Sequence, residues 1–146
     1  MRYFIEFAYN GKNFHGFQSQ PDASSVQETL EKALSTLFRE TITIVGAGRT
    51  DAGVHAKQMY AHFEIELDLD SDYWTHKLNS FLPPSIVIYR IIPVHEEAHT
   101  RFDATSRTYE YYMHTFKDAF ITDGSWYHSH QLDLKKMNES CKILFE

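Results

Sequence analysis

Hydrophobic and polar positions alternate through the opening RYFIEFAYN, which puts Tyr3, Ile5, Phe7 and Tyr9 on one face of a predicted strand. The next stretch, GKNFHGFQSQPDAS (residues 11–24), breaks the alternation with two glycines and a proline and reads as a loop. The period then changes. Val26, Leu30, Ala33, Leu34, Leu37 and Phe38 recur three and four residues apart, predicting a helix with Ser25 as N-cap and Glu28 completing a capping box. TITIVGA (41–47) is a β-branched strand. KQMYAHFEIEL (57–67) alternates again, with Met59, Ala61, Phe63, Ile65 and Leu67 on one face and Gln58, Tyr60, His62, Glu64 and Glu66 on the other, and His62 is expected to be a surface or interface side chain and not a ligand. A second helix is expected from Asp72 to Phe81, stopped by Pro83 and Pro84. SIVIYRIIPV (85–94) and RTYEYYMHT (107–115) read as further strands. From Asp133 the spacing of Leu134, Met137, Cys141 and Leu144 is helical, and Cys141 is expected to be a buried structural thiol.

The order β-α-β-β-α-β-β, followed by a helix, predicts an α+β fold. Its form is an antiparallel sheet with helices packed on one face, the ferredoxin-like split βαβ arrangement. Residues 1–130 are expected to make up this unit and residues 131–146 to begin a further helix. That helix ends in CKILFE, with no glycine cap, proline or polar tail, and the ending predicts a fragment cut inside or just after a helix.

Composition narrows the classes. At 146 residues, 42% hydrophobic and 23% charged, the chain is the size of one domain with a real core. The formal charge of −6 lacks the basic footprint of a whole-domain nucleic-acid binder, so any such role must rest on a local patch. Aromatic residues make up 15%, and an aromatic-rich β core accounts for most of them, while a stacking surface for bases would need only a few. The single cysteine allows no intrachain disulfide. Glu6 interrupts the first apolar run, which argues against a secretory leader, and no run approaches the roughly 20 apolar residues of a membrane span. A cytoplasmic protein is expected.

The candidate chemistry lies in GAGRTDAGVHA (46–56), which is too glycine-rich for a helix and too stiffly specified for a plain hairpin. Gly46, Gly48 and Gly53 could merely build a turn. They could also clear space for a bulky substrate beside Arg49 and Asp51, with Arg49 holding the carboxylate or reaching a ligand phosphate. A lone aspartate suits nucleophilic or electrostatic work at an anomeric carbon or an electrophilic ring. No convincing second carboxylate is at hand for ordinary glycoside hydrolysis. HEEAH (95–99) matches the zinc-protease string H-E-x-x-H, but Pro93 precedes it and no helical period follows, so a loop is expected and a zinc hydrolase is disfavoured. The HSH at 128–130 likewise reads as an exposed loop. No glycine loop carries a phosphate-binding Lys-Ser or Lys-Thr, and the glycine spacing is not that of a dinucleotide fold.

GAGRTDAGVHA resembles the catalytic motif of the tRNA pseudouridine synthase A family. YNGKNFHGFQSQP, SVQETLEKAL, LNSFLPPSIVI and HTRFDATSRTYEYYM resemble further blocks of that family in the same order, over about residues 3–113. The resemblance implies one half of a pseudouridine synthase fold and an isomerase that converts uridine to pseudouridine at positions 38–40 of the tRNA anticodon arm. It also implies a homodimer that uses neither cofactor nor metal. Asp51 falls on the family's catalytic aspartate. Arg49 falls on the motif arginine that helps flip the target nucleotide, and Tyr109 on the tyrosine that stacks on the uracil. Arg101 falls on an arginine suited to a backbone phosphate, with Lys57 and Arg107 as weaker candidates for the same role. Family members continue for about another hundred residues, which supply a basic active-site residue, so this chain alone is expected to lack most of the activity. A noncatalytic RNA-binding module on the same fold is the rival reading.

Overall fold

The computed structural model describes residues 1–145 and divides them into two compact units, Met1–Arg107 and Thr108–Glu146. In the first, β1 (Arg2–Tyr9) is a central strand. It pairs antiparallel with β3 (Ala56–Glu64) on one side and β4 (Ile86–Val94) on the other, Ile5 lying opposite both Ala61 and Ile91. The short β2 (Val45–Gly46) pairs antiparallel with β3, giving the order β2-β3-β1-β4 expected of a ferredoxin-like split βαβ sheet. The predicted face of β1 is buried: Tyr3, Ile5, Phe7 and Tyr9 join Phe63, Ile88 and Ile91 in the core. Helix α1 (Val26–Phe38) adds Val26, Leu30, Ala33 and Leu34 to the same cluster, and α2 (Ser71–Phe81) adds Leu78. Each such aliphatic or aromatic side chain contributes about 1.5–3 kcal/mol by leaving water.

Helix starts follow the sequence signals. Ser25 Oγ accepts from the Glu28 N–H at 3.1 Å. The N–H groups of Val26 and Gln27 donate to the carbonyls of Gly16 and Phe17, so the loop before α1 satisfies donors that a helix start leaves free. Asp70 caps α2 through the Tyr73 N–H, and Pro83 and Pro84 follow its last turn.

The opposite face of the sheet carries a buried carboxylate. Glu6 accepts from Gln58 Nε2 at 2.6 Å and pairs with Arg90. Burial pushes its pKa up, but the hydrogen bonds from Gln58, Arg90 and Tyr60 outweigh that, so the carboxyl titrates below the usual range.

Four expectations are corrected. TITIVGA is a strand only at Val45–Gly46. Ile42 and Ile44 are buried, but their backbone bonds go to α1 side chains. Ser35 Oγ accepts from Ile42 N–H at 2.8 Å and Glu31 Oε1 from Ile44 N–H at 2.9 Å, while Gln27 Nε2 donates to the Ile44 carbonyl. Leu67, placed by alternation on the face of Phe63, is exposed because β3 ends at Glu64. RTYEYYMHT keeps only β5 (Met113–His114), paired in parallel with β6 (Trp126–Tyr127). Finally, α3 (Leu134–Cys141), capped by Asp133, buries none of its residues, and Cys141 is exposed rather than core, because no described layer covers its apolar stripe.

Candidate active site

The loop between β2 and β3 is held at its ends and open at its tip. At the entry, Ala47 N–H donates to the Tyr60 carbonyl at 2.7 Å. Its own carbonyl accepts from Arg107 Nε at 3.1 Å and Nη2 at 2.8 Å. Thr50 is fixed twice: its carbonyl accepts from Phe17 N–H at 3.1 Å, and its hydroxyl meets the Tyr9 hydroxyl at 2.8 Å. Beyond the tip, Val54 N–H closes a turn onto the Asp51 carbonyl, Gly53 N–H donates to Phe14, and His55 Nδ1 accepts from Gly11 N–H at 3.0 Å.

The glycines divide by role. A side chain at Gly46 would overlap the Phe17 ring, so this glycine serves packing. Gly16, at φ +91°, brings its backbone against Thr50, whose carbonyl oxygen would lie 2.5 Å from a Cβ there. Gly53 has φ +79° and open space where a side chain would go. The space expected beside Asp51 thus exists on the Gly53 side of the tip, while the Gly46 side is filled.

Asp51 and Arg49 are both exposed. Among the described residues no ion pair joins them, so Arg49 does not hold the carboxylate. Arg101 is exposed on the turn after His99, and its carbonyl accepts from Arg107 Nη2 at 2.8 Å. Lys57 is exposed at the start of β3, where its carbonyl accepts from the Tyr89 hydroxyl. Arg107 thus ties the Asp51 loop to the Arg101 turn. Tyr109 belongs to the second unit, in a stretch without regular structure, and its ring is exposed.

His62, expected at a surface or interface, is buried. The Thr100 hydroxyl donates to the Val45 carbonyl at 2.8 Å and stands 2.9 Å from His62 Nδ1, and the Thr100 N–H donates to the same ring nitrogen at 3.4 Å. This relay joins β3, β2 and the Arg101 turn. Burial pulls the His62 pKa down, helped by the charges of His99 and Arg2 and opposed by Glu64. HEEAH is a turn, closed by Ala98 N–H onto the His95 carbonyl. The His99 ring packs on Phe102, 4.2 Å between centroids, and edge-on to His62 at 4.7 Å.

A sequence profile of the tRNA pseudouridine synthase family matches residues 6–103, which run from β1 to the turn after β4 and contain the whole Asp51 loop and its supports other than Arg107. The chain belongs to the tRNA pseudouridine synthase family. It is 53% identical over 146 residues to a protein of Parabacteroides distasonis named tRNA pseudouridine synthase A, covering 99% of this chain and 58% of that protein. It is 52% identical over 145 residues to the protein of that name from Bacteroides thetaiotaomicron, covering 99% of this chain and 54% of the relative. The likeness extends to Pectobacterium atrosepticum, at 40% over 138 residues, with 93% of this chain and 49% of the relative covered. The chain thus spans about half the length of the curated relatives it matches.

Within the family segment, pattern reasoning did not identify the residues that hold the loop: Tyr9, Phe17, Thr50, His55, and the His62–Thr100 pair. One signal was available. The N-G and H-G dipeptides of residues 10–16 mark sharp backbone turns, and both glycines lie against the Asp51 loop.

Proposed function

We propose that this chain carries the catalytic aspartate of an enzyme that isomerises uridine to pseudouridine at positions 38–40 of the tRNA anticodon arm, working without cofactor or metal, in the cytoplasm, as a homodimer. The observation that supports this most strongly is an exposed Asp51 with no side-chain partner among the described residues, on a loop pinned both before and after it. A nucleophile needs that combination: free oxygens on a backbone that does not have to be ordered during the reaction. The reacting atoms of a stacked uridine are shielded, so the nucleotide leaves the helix first. Arg49, two residues from Asp51 and also exposed, assists and fills the vacated space. Asp51 then attacks the ribose anomeric carbon or the uracil ring as the N1 glycosidic bond breaks. The base rotates, C5 bonds to the ribose carbon, the bond to Asp51 breaks and returns the free carboxylate, and the C5 hydrogen leaves as a proton while N1 gains one, so atoms and charge balance. Tyr109 stacks on the uracil, and Arg101 and Lys57 contact backbone phosphates. Residues 1–130 act as the subdomain bearing the aspartate, and residues 131–146 begin the following helix.

The test is tritium release from tRNA labelled at uracil C5. It compares this chain, a protein extended to the length of the relatives, and the extended protein with Asp51→Asn. Release by the extended protein, abolished by Asp51→Asn, is the expected result. No release by a folded extended protein would end the isomerase reading and leave the noncatalytic RNA-binding module as the alternative.

A further inference from the structure

Between Gly46 and Ala56, one fixed point on the entry side of Asp51 depends on a side chain from far along the sequence. The Ala47 carbonyl is held by Arg107, sixty residues away, through Nε and Nη2, while Nη2 also donates to the Arg101 carbonyl at 2.8 Å. Arg107 lies against Gly48, the next residue: a Cβ there would meet its Nε at 3.6 Å and its Cδ at 3.9 Å, in ordinary van der Waals contact. The Ala47 N–H is bonded to Tyr60, so the peptide units on either side of Ala47 are anchored, one to β3 and one to Arg107. Two of the three guanidinium nitrogens are thereby committed to backbone oxygens, which leaves Nη1 alone for any outside ligand.

We infer that Arg107 is a positioning residue for the isomerisation and not a phosphate contact. By bridging the Ala47 and Arg101 carbonyls, it sets where the Asp51 loop stands relative to the Arg101 turn. The inference rests on the isomerase reading above, because it concerns the geometry that this reaction needs. A planar fork can hold two carbonyls in fixed directions, whereas a lysine ammonium is a point donor on a flexible stem. The two roles therefore predict opposite rankings of variants. For a phosphate contact the charge matters and Arg107→Lys keeps most function. For a bridge the fork matters, and Arg107→Lys fails much as Arg107→Gln does. Misplacing a reacting group by about 1 Å can cost about 100-fold in rate.

The experiment uses the extended protein and its Arg107→Lys and Arg107→Gln variants. Single-turnover tritium release is read beside tRNA affinity at several salt concentrations and hydrogen exchange of residues 46–54. The expected result is a rate loss of about 100-fold in both variants, with unchanged tRNA affinity and salt slope and faster exchange in the loop. The inference is overturned if Arg107→Lys keeps the parental rate while Arg107→Gln weakens binding and lowers the salt slope by about one, the signature of a phosphate contact. Parental behaviour in both variants also overturns it, and so does global unfolding of both, which would make Arg107 a general scaffold residue. A parental protein that releases no tritium sinks the isomerase reading instead. Loop exchange then still reports the bridge, and unchanged exchange in both variants would remove it.

Discussion

His62 shows how one side chain differs from its pattern. Period-two alternation puts it on the outward face of β3, but the turn that follows β4 lies over that face, and Thr100 and His99 enclose the ring. Alternation reports which side of a strand a residue occupies, not what later covers that side. The burial has a pH consequence. His62 is held neutral in the fold chiefly by burial, with the His99 and Arg2 charges acting in the same direction and Glu64 against them. Unfolding restores its ordinary pKa of about 6.5, so below that pH the unfolded chain takes up a proton that the folded chain refuses. The stability contribution is therefore intact above about pH 6.5 and is lost as pH falls from there through the lower folded value, at no more than about 1.4 kcal/mol per pH unit. Glu6 and Glu64, both lowered, titrate in a more acidic window below the usual carboxylate range. Urea midpoints should drop between about pH 7.5 and about pH 5.5 in the parent and stay flatter in His62→Gln; equal drops in both would refute the assignment to His62.

At the scale of elements, sequence pattern was most informative where one face packs on one core. The β1 face, the α1 stripe with its Ser25 cap, and the Pro-terminated α2 all stand as the periodicity implies. Asp51 and Arg49 were singled out by the density of small residues around them, and both stand exposed on the loop between β2 and β3. Pattern failed where a segment's partners are side chains. TITI has the composition of a strand, yet residues 41–44 run beside α1 and bond to Gln27, Glu31 and Ser35. Nothing in β propensity separates a ladder partner from a helix side chain, because both satisfy the same N–H and C=O groups. Glu31 is the critical member, since Oε1 accepts from both Ile44 N–H and Gln27 Nε2. Glu31→Ala would leave the N–H of the buried Ile44 without its partner, at a cost of about 1–3 kcal/mol, whereas exposed Lys32→Ala on the same helix should shift stability by less than about 0.5 kcal/mol. Chemical denaturation of the two variants provides the comparison, and equal small losses would show that water replaces the Glu31 bond.

Across the whole molecule, charge limits what this length of chain can do with RNA. Fourteen basic residues stand against twenty acidic ones, and the basic groups near the Asp51 loop are few. Arg49, Arg101 and Lys57 are exposed there, while Arg107 has most of its donors on backbone oxygens and Arg90 is paired with Glu6 across the sheet. Even with Arg49 counted beside the phosphate contacts of Arg101 and Lys57, three cations would give a log–log slope of affinity against salt of about −2 to −3, since each contributes about −0.7 to −0.9. Tight binding to a tRNA arm needs more than that, and the relatives are nearly twice as long as this chain. The 146-residue chain is therefore expected to bind tRNA weakly, with a slope no steeper than about −3, and replacing Arg49 and Arg101 together by glutamine should shallow it by about two contacts' worth. Filter binding across about 50–200 mM salt measures both quantities. A slope far steeper than −3, or one indifferent to that double replacement, would mean that the RNA lies on another face of the chain, and Asp51 would then have to be reached by a different approach.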